Sequence, residues 1–228
     1  DTVYGRHPEE VRAEAGGLKV GDTTCRVLNE KDPASLPWRE MEVDLVFECT
    51  GVFTKRPDLQ KHIEAGAKTV ILSAPAKGDE EVPFVVHGVN EADGEPIIST
   101  ASCTTNCIAP VIEVIGRRIG IDKALMTTVH AYTASQELVD GPAGKSRRGR
   151  AGAANFVPTT TGAAKATTKA LPQYQGRFDG VAIRGPVPVG SISDITIVTQ
   201  RETGVEEVNA ILEEEARSER YGGVLGVT

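Results

Sequence analysis

Residues 43–51 read VDLVFECTG, a nearly continuous apolar run that ends in a glycine. Such a run is typical of a parallel strand that is buried on both faces. The chain continues at 57–67 with Leu59, Ile63 and Ala67 spaced four apart, which predicts a helix with one apolar face. A buried strand followed by a helix of this length is the beginning of a βαβ unit.

Three further apolar runs in the first half of the chain predict strands. They are TVILSAP at 69–75, PFVVHGV at 83–89 and EPIISTAS at 95–102. Strands that alternate with helices at this spacing form a doubly wound parallel sheet. We therefore expect residues 1–102 to belong to an α/β domain.

The pattern changes after Cys103. Helical periods occur at 107–119, 162–171 and 205–217, and strand-like runs occur at 125–132 and within 180–200. Residues 133–158 show no sustained period, and a loop of that length is usually functional. We expect residues 103–228 to form a separate α+β domain.

The composition argues against several classes of protein. The 228 residues carry a formal net charge of −7, which argues against a surface that binds nucleic acid throughout. No run approaches ~18 apolar residues, so no membrane span is predicted, and no stretch has the pattern of a secretion signal. The acidic balance fits a cytoplasmic enzyme.

Cysteines and basic residues add two narrower expectations. The four cysteines, Cys25, Cys49, Cys103 and Cys107, match no zinc ligand set, so no metal site is expected and reduced thiols fit better than disulfides. A basic cluster contains Lys145, Arg147, Arg148 and Arg150. Because it is short and lacks interleaved aromatic residues, a nucleic-acid patch is not expected there.

The stretch SCTTNC at 102–107 places Cys103 where a strand gives way to a helix. A helix start favours an anion by ~0.3–1 kcal/mol, and an effect of that size leaves most of a free thiol protonated at neutral pH. A nucleophilic cysteine at this position therefore needs a basic partner.

Four histidines are candidates for that partner. His7 lies near the start, His62 lies on a predicted surface helix, and His87 ends a predicted strand. His130 lies on the strand that follows the helix opened by Cys103, and a crossover of this kind brings the two ends together. His130 is either the general base and acid for Cys103 or a hydrogen-bonded core histidine.

Two other features have structural explanations. Cys107 lies one helical turn beyond Cys103, and a small core residue explains it better than a second catalytic thiol. Glu213, Glu214 and Glu215 are expected to form a solvated face of the last predicted helix.

Several motifs together resemble the phosphorylating glyceraldehyde-3-phosphate dehydrogenases. The stretches are FECTGVFT at 47–54, EAGAKTVILSAPAKG at 64–78, ASCTTNCIAP at 101–110, LMTTVHAYT at 125–133 and VPTTTGAAKA at 157–166. ASCTTNC followed by TTVHAYT at this distance is very specific. The resemblance covers essentially the whole chain, and the opening DTVYGR is similar to the segment soon after the family's cofactor fingerprint.

The resemblance implies a partial Rossmann-type doubly wound sheet followed by an α+β catalytic domain. Residues 1–102 would be the C-terminal part of the NAD-binding domain, and residues 103–228 the N-terminal part of the catalytic domain. The G-x-G-x-x-G fingerprint does not occur in the sequence, so we expect a fragment that lacks both ends of the family's chain. Alone, these residues are expected to bind NAD weakly or not at all and to be partly folded or prone to aggregation.

The resemblance also implies the roles of individual residues. Cys103 would be the nucleophile and His130 its partner. Binding of substrate phosphate and inorganic phosphate is implied for Ser102, Thr104, Thr133, Thr161, Gly162 and Arg184. Arg147 and Arg148, in a loop that the family packs against cofactor and neighbouring subunits, are expected to join them. The residues implied for the dinucleotide are Thr50, Gly51, Phe53 and Ser73.

The implied activity is the NAD-dependent oxidation and phosphorylation of glyceraldehyde 3-phosphate to 1,3-bisphosphoglycerate by a cytoplasmic homotetramer. The segment VDGP at 139–142 resembles the NAD-preferring form, so NAD is expected over NADP. Gly185 begins the segment GPVPVGS, where many members of the family have VPTPNVS, and a glycine there is expected to loosen the backbone beside Arg184.

Three alternatives stay open at the level of sequence. Erythrose-4-phosphate dehydrogenase shares these motifs. A thiol acyltransferase or hydrolase would use Cys103 and His130 without a cofactor. A non-catalytic interaction protein could be built on the same fold.

Overall fold

The computed structural model describes residues 2–228. Within them the strands are β1 (Val11–Glu14), β2 (Gly17–Val20), β3 (Thr23–Arg26), β4 (Leu45–Glu48), β5 (Thr69–Leu72), β6 (Ile97–Ser99), β7 (Ile121–Ala131), β8 (Val157–Thr159), β9 (Phe178–Gly185) and β10 (Ser191–Thr199). The helices are α1 (Arg56–Ala65), α2 (Cys103–Arg118), α3 (Ala163–Ala170) and α4 (Val205–Ala216). Short 3₁₀ turns occur at Pro33–Ser35, Ser146–Gly149 and Pro172–Tyr174.

The first half of the chain contains the predicted parallel sheet. Its order is β4-β5-β6, with every neighbouring pair parallel. Val70, Leu72 and Ile97 are fully buried on one face, where they pack with Leu59 of α1. Because the strands are parallel, their carboxyl ends lie at one edge of the sheet, and the residues that follow them meet there.

The strand predicted at 83–89 is wrong. That segment makes one isolated bridge, between Phe84 and Ser99. The side chain of Asn90 accepts a hydrogen bond from the Val86 amide at 2.9 Å and donates one to the Phe84 carbonyl at 2.7 Å. A side chain therefore satisfies the backbone groups that a neighbouring strand would otherwise pair.

The second half forms a mixed sheet of order β10-β7-β9-β8. β10 runs antiparallel to β7, β7 runs parallel to β9, and β8 runs antiparallel to β9. Helices α2, α3 and α4 contribute to the main core, in which Ile108, Ile112 and Met126 are at most 1% exposed. The α/β class with a parallel sheet and a separate mixed sheet is as predicted.

An antiparallel meander of β1, β2 and β3 was not predicted from the sequence. Its strands are joined by two-residue turns, Ala15–Gly16 and Gly21–Asp22. Most of its side chains are exposed on both faces, so the apolar alternation that marks a strand is missing. The Gly-Asp pair was the available hairpin signal.

The prediction that α4 exposes Glu213, Glu214 and Glu215 to solvent is wrong for Glu215. Glu213 and Glu214 are exposed, but the Glu215 side chain is 8% exposed. Its two carboxylate oxygens lie 2.9 Å from the guanidinium groups of Arg117 and Arg118 on α2. Two arginines on a neighbouring helix thus bury a carboxylate that the helical period alone places in solvent.

Candidate active site

Cys103 is the first residue of α2, and its position is fixed by the turn before it. The Ser102 hydroxyl caps the helix by accepting a hydrogen bond from the Thr105 amide at 3.1 Å. The Asn106 side-chain amide donates to the carbonyls of Thr100 and Ser102 at 2.7 and 2.9 Å. The helix thus begins at Cys103, as predicted, and its polar first turn, which precedes the apolar period at 107–119, is stabilised by capping.

The residue before the cap is strained. Ala101 has a φ of 57°, in the left-handed region that residues with a side chain rarely adopt, and it is 1% exposed. Strain of ~1–3 kcal/mol per residue persists only where the surroundings hold it. Here the Ala101 methyl group packs against Phe84 and Ala166. The strained turn leads directly from the end of β6 to Cys103.

His130, near the end of β7, faces Cys103. Its Nε2 lies 3.4 Å from the Cys103 sulfur. The other reading of His130, a core histidine away from Cys103, does not fit this geometry. Cys103 is exposed and His130 is half-buried, so a substrate can reach both.

Arg184 of β9 contacts the other nitrogen of the same imidazole. Its Nη1 lies 2.8 Å from His130 Nδ1 and 2.8 Å from the Ala131 carbonyl oxygen. His130 Nδ1 also lies 2.8 Å from that carbonyl. Because a guanidinium only donates, Nδ1 must accept in this arrangement, and the carbonyl accepts from Arg184 rather than from the imidazole. The imidazole proton is then on Nε2, directed at the Cys103 sulfur.

A second guanidinium lies beside this group. Arg148 donates to the Thr159 hydroxyl at 3.3 and 3.4 Å and to the Ser135 hydroxyl at 3.1 Å. Burial lowers the pKa of the Arg184 guanidinium, the charge of Arg148 lowers it further, and the charge of Cys103 acts in the opposite direction. Two arginines that hold no carboxylate in the described part of the chain make this a site for anions.

These residues surround a cavity of about 440 Å³. The predicted site residues that line it are Ser102, Cys103, Thr104, His130, Thr161, Gly162 and Arg184. The Thr161 hydroxyl accepts a hydrogen bond from the Ala163 amide at 3.1 Å, at the start of α3. Hydroxyl groups, a helix start and a guanidinium therefore converge on one nucleophilic sulfur. This set can bind phosphate groups and carry out covalent catalysis.

The cavity does not include every predicted residue. The Thr133 hydroxyl is bonded to the Ser135 hydroxyl at 2.9 Å. Arg147 lines a different cavity of about 360 Å³, with Arg150 and Phe156. A larger cavity of about 970 Å³ lies beside Lys123 and Phe178, and it contains neither Cys103 nor His130.

Comparison with known proteins identifies the family. Residues 102–228 match the family model described as "Glyceraldehyde 3-phosphate dehydrogenase, C-terminal domain". Residues 1–56 match the model described as "Glyceraldehyde 3-phosphate dehydrogenase, NAD binding domain". The glyceraldehyde-3-phosphate dehydrogenase of Streptomyces coelicolor is 49% identical over 100% of this chain and 68% of its own length. This chain belongs to the glyceraldehyde 3-phosphate dehydrogenase family.

Other relatives in the glyceraldehyde 3-phosphate dehydrogenase family give the same result. The enzyme of Haloarcula vallismortis is 50% identical over 100% of this chain and 69% of its own length. Glyceraldehyde-3-phosphate dehydrogenase 1 of Streptomyces arenae is 51% identical over 91% of this chain. The chain spans 63% of the length of that relative.

The residues expected to bind the dinucleotide lie at the carboxyl edge of the parallel sheet. Thr50, Gly51 and Phe53 follow β4, and Ser73 follows β5. Gly51 has a φ of 72° and open space where a side chain would lie, so a ligand can approach its backbone closely. An open sheet binds dinucleotides at this carboxyl edge, and the next strand leads to Cys103. These residues fit NAD.

Two lysines of the Cys103 cavity were not predicted from the sequence. Lys165 and Lys169 of α3 line it, and the Lys169 ammonium lies 4.6 Å from the centre of the Phe84 ring. The available signal was their spacing. Lysines four apart on a helix that opens with a threonine run and a glycine share the face next to the anion site.

Two further predictions are corrected. Cys107 is exposed and is not a core residue. It lies in the first turns of α2, where a residue one turn from an exposed Cys103 shares its side of the helix. His62 is 4% exposed rather than on the surface.

Metal sites and membrane-spanning helices are absent from the part of the chain that the structure describes. In residues 2–228, His, Cys, Asp and Glu side chains form no group of three that could hold a metal ion. No helix in the described residues is long and apolar enough to cross a membrane.

Proposed function

We propose that the protein containing this chain oxidises glyceraldehyde 3-phosphate and phosphorylates the product to 1,3-bisphosphoglycerate. The observation that carries the proposal is the 3.4 Å contact between the Cys103 sulfur and His130 Nε2, inside a cavity lined by anion-binding groups. NAD, bound at the carboxyl edge of the parallel sheet, would accept a hydride from the substrate carbon.

Cys103 begins the reaction. With the imidazole proton on Nε2, His130 donates a hydrogen bond to the thiolate and stabilises it. The thiolate adds to the aldehyde carbon, and the carbonyl oxygen takes the proton from His130 Nε2 to give a hemithioacetal. Arg184 binds the substrate phosphate, which its guanidinium matches with two donors.

His130 acts in the next step. Arg184, bound to the substrate phosphate, then no longer donates to Nδ1, so Nδ1 takes a proton from solvent and donates a hydrogen bond to the Ala131 carbonyl 2.8 Å away. Nε2 becomes free to accept the hydroxyl proton as the hydride departs. The carbon is oxidised from the hemithioacetal to a thioester on Cys103.

The hydroxyl cluster serves the last step. Ser102, Thr104, Thr161 and the neighbouring Arg148 hold inorganic phosphate. A phosphate oxygen attacks the thioester carbon, the carbon–sulfur bond breaks, and the acyl phosphate leaves with the Cys103 thiolate restored. The thioester retains oxidation energy that direct hydrolysis would lose.

The test is the absorbance of NADH formed by the protein encoded by the complete gene. With glyceraldehyde 3-phosphate and NAD, turnover should require inorganic phosphate and yield an acid-labile acyl phosphate. Esterase or acyltransferase activity without NADH formation would instead support the cofactor-independent thiol enzyme. Absence of any reaction, together with slow labelling of Cys103, would support the interaction protein.

The backbone beside Arg184 bears on whether the substrate is glyceraldehyde 3-phosphate or erythrose 4-phosphate. Gly185 remains paired with Ala131 in β9, so the predicted loosening of the backbone is not observed there. We therefore propose that glyceraldehyde 3-phosphate is preferred over erythrose 4-phosphate. A higher kcat/KM for erythrose 4-phosphate would reverse that assignment.

We propose NAD rather than NADP as the cofactor, because Val139–Pro142 resembles the NAD-preferring form. A higher kcat/KM with NADP would contradict this. The acidic charge and the four free thiols support a location in the reducing cytoplasm. Export of the protein to an oxidising compartment would contradict it.

We also propose a homotetramer. Leu125, Val181 and Ile192 are 53%, 53% and 71% exposed on the outer face of the mixed sheet. In the 133–158 loop, Leu138 and Phe156 are 83% and 69% exposed. Exposed apolar side chains that share one face of a sheet, as Leu125, Val181 and Ile192 do, are typical of an interface. Light scattering should give four copies, and a monomer that is active at working concentration would contradict the proposal.

A further inference from the structure

Three side chains outside the Cys103 cavity form a hydrogen-bonded chain in the first half of the protein. The indole Nε1 of Trp38 lies 3.0 Å from His62 Nδ1. His62 Nε2 lies 3.2 Å from Glu48 Oε2. Glu48 and His62 are 3% and 4% exposed, so water does not provide alternative partners.

The direction of every bond in this chain is determined. An indole nitrogen can only donate, so His62 Nδ1 must accept. The neutral imidazole then carries its proton on Nε2 and donates it to Glu48. The carboxylate is an acceptor throughout, which leaves its second oxygen free for other donors.

That second oxygen is used at the cofactor edge. Glu48 Oε1 accepts from the Thr50 amide at 2.7 Å and also from the Thr50 hydroxyl. The Thr50 hydroxyl oxygen in turn accepts from the Val52 amide at 3.1 Å. The main-chain oxygen of Glu48 accepts from the Ser73 hydroxyl at 3.1 Å. One buried residue therefore contacts two of the positions where the dinucleotide is expected.

Stability alone explains this arrangement poorly. A buried polar pair often contributes no more than apolar residues of similar size. Here the buried carboxylate reaches outward to Thr50, and Thr50 and the Gly51 that follows it are exposed and contribute little to the core. The bonds fix a turn in which Gly51 keeps a φ of 72° and an open approach. An exposed turn whose conformation is fixed by hydrogen bonds to a buried side chain is preorganised for a ligand.

We propose that Trp38, His62 and Glu48 are positioning residues that hold the Thr50–Gly51 turn in the conformation that binds the dinucleotide. The proposal rests on the proposed function, because that function requires NAD at this edge. These residues would act through the turn and would not touch the reacting atoms.

Glu48→Gln is the decisive variant. If its amide nitrogen faces His62, the imidazole must accept at Nε2 and carry its proton on Nδ1. The Nδ1 proton then faces the indole N–H of Trp38, and the two donors cannot pair. If the amide nitrogen faces Thr50, two donors meet at the turn. Either orientation leaves one donor without its partner, the Trp38 indole in the first case and the Thr50 amide in the second. We expect about a tenfold weaker affinity for NAD, measured by calorimetry without aldehyde, and a higher KM for NAD with kcat nearly unchanged.

Glu113→Gln is the matched control. Glu113 is also a buried carboxylate, and it accepts from Tyr221 at 2.8 Å and from Arg117 at 2.7 Å, in the other half of the chain. It should lower stability without changing the affinity for NAD. If Glu48→Gln lowers stability like Glu113→Gln and leaves the affinity unchanged, the three residues are structural only and the proposal is overturned.

Two measurements without cofactor separate this proposal from the proposed function. Hydrogen exchange of the Thr50 amide should be faster in Glu48→Gln than in Glu113→Gln. Unchanged exchange would overturn the positioning role of the hydrogen-bonded chain, whether or not NAD binds.

Nitrogen NMR of His62 should show a protonated Nε2 and an unprotonated Nδ1. Trp38→Phe removes the indole donor to Nδ1 while Glu48 still accepts from Nε2, so the Nδ1 resonance should shift and Nε2 should stay protonated. An unchanged Nδ1 resonance would remove Trp38 from the chain. If exchange of the Thr50 amide is faster in Glu48→Gln but the unaltered protein binds no NAD, the proposed function fails. The cofactor role of the hydrogen-bonded chain is then overturned with it.

Discussion

The guanidinium of Arg184 lies 2.8 Å from Nδ1 of His130, on the side of the imidazole opposite Cys103. The two residues are paired in the parallel register of β7 and β9. Because Arg184 only donates, its position decides which imidazole nitrogen carries the proton. Binding of an anion by Arg184 would therefore change the chemistry that His130 can perform on Cys103.

Arg184→Met should slow the labelling of Cys103 by iodoacetamide several-fold at neutral pH in the absence of substrate. Without the guanidinium, His130 donates from Nδ1 to the Ala131 carbonyl, and Nε2 no longer donates to the thiolate. The rate is measured by mass spectrometry of the labelled peptide. An unchanged rate with an unchanged His130 tautomer in NMR would show that Arg184 does not set the proton position.

Cys103→Ser should abolish NADH formation and the fast labelling by iodoacetamide. The matched control is Cys107→Ser, because Cys107 is also exposed but His130 Nε2 contacts the Cys103 sulfur. Activity should be nearly unchanged in the control. Fast labelling that persists in Cys103→Ser and disappears in Cys107→Ser would assign the nucleophile to the other cysteine.

Arg148→Gln should raise the KM for inorganic phosphate by about tenfold or more, because a charged hydrogen bond to the anion is lost. Arg147→Gln removes the same charge from the neighbouring residue, which lines a different cavity. It should change that KM little. Steady-state kinetics at several phosphate concentrations decides between them, and equal effects would indicate that the loop acts only through its total charge.

Glu215→Gln should lower the free energy of unfolding by about 1–3 kcal/mol at neutral pH, since a buried acceptor of two guanidinium groups is weakened. The Arg117 hydrogen bond, and then that of Arg118, lowers the pKa of this carboxyl group against the effect of burial. A lowered pKa means that the contribution is complete above the usual value of 4.5 and is lost as the pH falls through the lower folded value. The difference between the two proteins should therefore shrink on acidification.

Glu214→Gln is the control for that experiment, because Glu214 bonds Arg118 but its side chain is 67% exposed. Urea unfolding at a series of pH values should show little change for it. A difference between Glu215→Gln and the unaltered protein that grows below pH 4.5 would have the wrong sign for a lowered pKa.

The helices and strands with a regular apolar period could be predicted from the sequence, and so could a nucleophilic cysteine with a histidine partner. The helix-opening cysteine and the strand-borne His130 were found because topology brings their ends together. The burial of His62 and Glu215 could not be predicted, because it depends on partners distant in sequence. His62 is buried against Trp38 and Glu48. Glu215 is buried against two arginines of α2. Local periodicity contains no information about such partners.

The pairing of β7 has a consequence for how correct folding could be detected. His130 is opposite Arg184 on one neighbouring strand and opposite Ser191 on the other. A slip of β9 by one residue would turn Arg184 to the opposite face of the sheet and place Ile183 or Gly185 beside the imidazole. A misaligned sheet would still be compact, but its Cys103 would lack the Arg184-directed imidazole. The speed of thiol labelling during refolding would thus time the moment at which the central strands reach their native alignment.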